Sequence, residues 1–256
     1  MSRGKLILLS ILKAAIWPIL FYAVQSIVSY LYLFVLGWGT ALSIPIGRAS
    51  GWMTDKVLEQ YYAATPLISI LSNLILLAIV WIVYRCQRRD PFIVCGIRKM
   101  KWQLVPTSFF LGLSLNTAII LLVILIPFPE KWLTSYGEAS SVLASGNWIL
   151  QAIATVLVAP VTEEVIFRGL VYGNLRQGMP VWLAAVLSAA VFGVMHGQII
   201  WVLYAFVMGF VLCVAYERSR TLLAPICLHI GFNALSQLLR PFQNNAVVVE
   251  AMYLLL

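Results

Sequence analysis

Glu163, Glu164, Arg168, His196, His229 and Asn233 are the residues of this sequence best equipped for chemistry. All lie in the C-terminal half, in or beside stretches that are otherwise apolar. Glu164 and Arg168 stand four residues apart, acid before base, the favourable order for an ion pair on a helix. Glu163 is turned about 100° from Glu164 on such a helix and need not share that arginine. A carboxylate left unpaired in a low-dielectric site gains proton affinity, which suits a general base near neutral pH. His229 and Asn233 also stand four apart and share a helical face. An imidazole and an amide there can aim two donors at one oxygen, as stabilisation of an oxyanion requires. A second chemistry is open at the same residues. Glu163, His196 and His229 could ligate a divalent metal such as zinc and leave one position for water. That scheme makes Glu163 a ligand or Glu164 the base, and the pairing with Arg168 disfavours the latter.

The elements that hold these groups belong in a membrane. The 256-residue chain is 62% apolar and 10% charged, where a soluble domain carries about 25% charged residues. The runs 66–84, 104–126, 139–162, 177–216 and 221–239 contain no Lys, Arg, Asp or Glu. A membrane-spanning helix needs ~20 apolar residues. The strand-like alternation of a membrane barrel is too weak here to compete. The fold class is therefore all-α: a polytopic transmembrane helical bundle of seven or eight spans. The chain reads as a single integral membrane domain, 1–256, with the chemistry-bearing core at 147–240. The expected spans are 6–36, 66–84, 104–126, 145–172, 180–197, 199–216 and 221–240, with 246–256, which contains Glu250, as a short eighth. The mixed segment 37–65 is read as a connection, with a short interfacial helix at 55–62. The apolar run behind the basic N-terminus is longer than a signal core and is read as an uncleaved anchor.

Charge sets the orientation. Arg85, Arg88, Arg89, Arg98, Lys99 and Lys101 lie between the second and third spans, and Arg3 and Lys5 precede the first. Both groups fall on the cytoplasmic side when the N-terminus is cytoplasmic, as do Arg176, Arg218 and Arg220. The net charge of +8 is thus assigned to topology and lipid headgroups, not to nucleic acid. The four cysteines show no CxxC pair or zinc spacing and are read as reduced thiols. The 35 residues from 181 to 215 are roughly 52 Å as one helix, which asks for a tight turn near Gly197 or for a segment that does not fully cross.

Three stretches, "EEVIFRG" (163–169), "FGVMH" (192–196) and "HIGFN" (229–233), resemble the EExxxR, FxxxH and HxxxN motifs of the CPBP intramembrane proteases, the CAAX-protease and bacteriocin-processing or Abi family. They occur in the family's order, on three apolar segments, and the resemblance covers roughly 147–240. It implies hydrolysis of a peptide bond within the membrane. Glu163 with His196 would deprotonate the attacking water, and His229 with Asn233 would stabilise the oxyanion. Glu164 and Arg168 would support the site's shape. Phe192 and Phe232, beside the histidines, would serve packing or substrate contact. Family members are described both as metalloproteases and as metal-independent glutamate-type proteases, so a divalent metal and no cofactor are both open. No HExxH, GxGD or GxSG motif points to another intramembrane protease class.

The plainer readings stand beside these. Glu164 and Arg168 fit a structural ion pair better than direct catalysts. Asn233 alone would be interhelical glue. The function read from the sequence is an intramembrane endopeptidase acting on a membrane-associated substrate, either a prenylated CAAX-type protein or a peptide precursor. The alternative is a non-proteolytic membrane immunity or scaffolding protein. The partners implied are the bilayer and a peptide or lipidated protein, in the cell membrane or, in a eukaryote, the endoplasmic reticulum membrane.

Overall fold

The structure, a computed structural model, describes residues 2–42, 51–143 and 145–239. The expected eighth span, 246–256, lies outside the described residues. Every regular element among them is helical. In order these are α1 (Arg3–Leu42), α2 (Gly51–Cys86), the short α3 (Pro91–Val94), α4 (Leu104–Leu125) and α5 (Glu130–Leu143), followed by a continuous helical stretch α6 (Trp148–Leu175), α7 (Val181–Val194), α8 (Ile199–Ser219) and α9 (Leu223–Leu239). Five of them, α1, α2, α4, α6 and α8, are long and apolar enough to cross a membrane, whereas α7 and α9 are shorter apolar helices. The chain is an all-α membrane bundle.

Two boundaries differ from expectation for a physical reason. The segment 55–62 is not a separate interfacial helix but part of α2, which continues through Pro66. A proline inside a helix strips the hydrogen bond from the carbonyl four residues earlier. That carbonyl, Tyr62 O, is taken by the hydroxyls of Thr65 and Ser145, each at 2.8 Å. Neighbouring hydroxyls are a general means by which membrane helices tolerate proline. The second difference is α6, which runs on to Leu175, roughly 18 Å beyond Glu163 at helical rise. The expected end is 172, so the helix is three residues longer at this end and Glu163 sits well inside it.

Small residues set the helix contacts around the core, since packing rather than the hydrophobic effect drives association in lipid. Gly112 on α4 faces the Leu228 carbonyl of α9, and Gly231 on α9 faces the Phe109 carbonyl of α4, with no room for a Cβ at either. A Cβ on Gly193 of α7 would come within 2.8 Å of Val202 O on α8. The buried core joins Trp17 of α1 and Leu76 of α2 to Ile166, Phe167 and Leu170 of α6 and Phe192 of α7. α1 thus packs directly on the helix that carries the glutamates.

Candidate active site

α6 is wound in two registers. Ile153–Val158 and Glu164–Tyr172 are π-helical, with α-helical turns before, between and after. Such widened turns are rare and concentrate at functional sites. Here the second one begins at Glu164 and carries Arg168.

Glu164 and Arg168 are fully buried, and Arg168 Nη1 donates to Glu164 Oε1 at 3.0 Å. Arg168 Nη2 donates to Gly209 O of α8 at 3.2 Å. The guanidinium also lies over the Phe192 ring, 4.2 Å from its centre. Charges are tolerated in such a place only when paired and hydrogen-bonded. Phe192 in turn packs edge-on against Phe167 at 5.1 Å, His196 at 4.8 Å and His229 at 6.0 Å. It is 1% exposed, a packing position enclosed by the charged cluster. Phe232 is likewise buried, against Tyr204.

Glu164 has a second partner that its pairing with Arg168 did not foretell. His229 Nδ1 lies 2.8 Å from the same Oε1. A carboxylate paired with arginine accepts only, so the proton lies on Nδ1. The other ring nitrogen, Nε2, then faces Glu163 Oε2 at 3.7 Å. The Glu163 side chain is 18% exposed against 0% for Glu164, so of the two glutamates only Glu163 is open to a reactant.

His196 arrives from the turn between α7 and α8. α7 ends after 14 residues, too short to cross a bilayer of ~30 Å. Gly197 reverses the chain with φ +76°, a conformation that favours glycine. His196 packs on the Phe192 ring, which also meets His229 edge-on and lies under the Arg168 guanidinium. His196 Nδ1 bonds to Phe192 O at 2.8 Å. A carbonyl only accepts, so Nδ1 carries the hydrogen and Nε2 is left as an acceptor in the neutral ring. Glu163, His229 and Arg168 all lie within electrostatic reach of His196.

Four of the motif residues, Glu163, Glu164, Arg168 and His229, are therefore linked, and His196 packs on Phe192 next to them. Asn233 is placed one turn beyond His229, and its Nδ2 donates to Thr155 O of α6 at 2.8 Å. Tyr204 is a neighbour that sequence reasoning missed. Its phenol lies within electrostatic reach of Glu163, but it sits in an uncharged run with no spacing signal. Gln198, which follows the Gly197 turn, bonds to Ser135 of α5 at 2.5 Å, so α5 packs over that turn.

The metal scheme is not supported by this arrangement. Among the described residues no group of three or more His, Cys, Asp or Glu side chains is disposed to hold a metal ion. Glu163, His196 and His229 form no such group, although the bonds of both Nδ1 atoms would leave each Nε2 free to ligate.

Comparison with known proteins falls on the same part of the chain. Residues 145–235 match the family profile of the type II CAAX prenyl endopeptidase Rce1-like proteins. The match covers about a third of the chain and falls on the three motif-bearing segments. Of curated relatives, "Putative membrane peptidase YdiL" of Bacillus subtilis (strain 168) is 31% identical over 84 residues, 33% of this chain and 34% of the relative. An "Uncharacterized 24.3 kDa protein" of Escherichia coli is 30% identical over 95 residues, 35% of this chain and 44% of the relative. The matches thus span less than half the length of these relatives. No solved structure gives a significant match. The matched region runs from α6 into α9, so Glu163, Glu164, Arg168, His196, His229 and Asn233 all lie within it.

Proposed function

We propose that this protein is an intramembrane endopeptidase whose base is Glu163. The observation that carries the reading is the asymmetry of the two glutamates. Glu164 is buried and held by Arg168 and His229, while Glu163 is partly open and faces His229 Nε2. A water between Glu163 and His196 Nε2 would give its proton to the carboxylate and attack the scissile carbonyl carbon. The carbonyl oxygen becomes an oxyanion and takes donors from His229 Nε2–H and from the second N–H of Asn233. With Nδ1–H directed at Glu164, Nε2 donates only as the imidazolium, which would be flanked by both glutamates. Collapse of the intermediate breaks the C–N bond, and Glu163 returns its proton to the departing amine. No metal is needed for any of these transfers.

The Rce1-like match and the membrane setting support a membrane-associated peptide as substrate, either a prenylated CAAX-type protein or a peptide precursor. Phe192 and Phe232 act in packing, because both are enclosed. The test is reconstitution in vesicles with a farnesylated CAAX peptide and an unlipidated membrane peptide. Hydrolysis of either that Glu163→Gln and His196→Ala each abolish supports the reading. Cleavage undiminished in both variants sinks it, and partner binding unaffected by Glu163→Gln without cleavage would favour the scaffolding alternative.

A further inference from the structure

Pro160 lies three residues before Glu163, and the hydrogen bonds around it bear on the site. In the π register of α6, Ala159 N–H bonds to Ala154 O. The next donor in that register, aimed at Thr155 O, would come from residue 160. That residue is proline and has no N–H. The carbonyl left over is the one that Asn233 Nδ2 reaches at 2.8 Å. The same device recurs at Pro66, whose released carbonyl is taken by the hydroxyls of Thr65 and Ser145.

We propose that Pro160 is a positioning residue of the site, acting through Asn233. By withholding an N–H it reserves Thr155 O for the Asn233 amide, which orients that amide and ties α9 to α6. A second tie, His229 Nδ1 on Glu164, lies one turn away along α9. The helices run antiparallel at this contact, since Thr155 precedes Glu164 while Asn233 follows His229. The two ties therefore fix both the register and the separation of the base Glu163 from the donors on α9. A displacement of about 1 Å in such a constellation can cost a hundredfold in rate. The inference rests on the proteolytic reading for its effect on rate, but not for the hydrogen bond itself.

The test is a double-mutant cycle on the full chain in detergent and in vesicles, with Pro160→Ala, Asn233→Ala and the pair. Alanine at 160 supplies the missing N–H to Thr155 O and frees Asn233. Pro160→Ala is expected to lower kcat by roughly tenfold to a hundredfold with KM changed less than about twofold. Its melting temperature is expected to hold or rise, because a helix break is removed. A merely structural proline would not raise stability while lowering kcat. Asn233→Ala is expected to cost far less, in both kcat and melting temperature, when Pro160 is already alanine. Pro160→Ser restores the N–H in a second way and guards against a folding failure peculiar to one variant. Multiplicative kcat losses with additive melting shifts overturn the proposal, as does full kcat in Pro160→Ala. Melting needs no substrate, so coupling seen there in a protein that cuts nothing overturns the proteolytic reading while leaving the clamp in place.

Discussion

Glu163 and Glu164 are adjacent in the chain and differ in everything that matters chemically. Glu164 is sealed between Arg168 and His229, whereas Glu163 keeps an open edge. The account therefore predicts that Glu163→Gln lowers kcat by about 10²–10⁴-fold, the range ascribed to a positioned acid–base group. It also predicts a melting temperature close to that of the parent, checked by thermal unfolding in detergent. Arg168→Leu should do the opposite. It leaves the Glu164 carboxylate buried against His229 alone, a loss of about 3–5 kcal/mol by the general cost of breaking a buried pair. Denaturant or thermal unfolding would show it, and Glu164→Gln in the same chain should recover part of the loss. These residues were legible in the sequence because Glu, Arg and His are costly in lipid and their spacing is helical. The Glu164–His229 bond was not, since it joins positions 65 residues apart through the packing of α6 on α9.

At the scale of elements, the site depends on two departures from regular helix. One is the turn at Gly197, whose φ of +76° favours glycine and whose Cβ position is open. Gly197→Ala would therefore act through backbone strain alone. It should displace His196 and lower kcat more than it lowers stability, a split that kinetics and melting read together. Gly231→Ala is a different case, because a Cβ there would run into the Phe109 backbone of α4. That substitution should separate α4 from α9 and reduce the melting temperature strongly, since helix contact in lipid depends on close packing. The apolar runs forecast most helices, and Gly197 was singled out as a bend. The π turns of α6 and the extension of that helix to Leu175 were hidden. Asn233 of α9 bonds to Thr155 O in the first π turn, and Glu217 of α8 accepts from Tyr172 and Arg176 at the end of the second, contacts that no local period encodes. Proline misled in the same way at Pro66, where remote Ser145 and local Thr65 let the helix continue.

For the whole molecule, the basic loops predict a cytoplasmic N-terminus, and the cysteines offer a way to test it. Cys86, at the end of α2, is exposed, while Cys95 is buried. Burial pushes the Cys95 thiol up to about 12, so it stays protonated and unreactive at ordinary pH, and only at strongly alkaline pH would it ionise. An impermeant maleimide should thus label Cys86 from the cytoplasmic side only and leave Cys95 untouched in folded protein. Labelling of Cys86 from outside would reverse the topology. The ligand arrangement further predicts that hydrolysis survives treatment with a strong chelator, measured as unchanged kcat after metal removal. Single-turnover cleavage of a farnesylated CAAX peptide in vesicles, by the parent and by Glu163→Gln at equal folded concentration, tests Glu163 as the base most directly. The parent is expected to give a cleaved product, and the variant a rate at least about a hundredfold lower. Equal rates from the two would contradict that role.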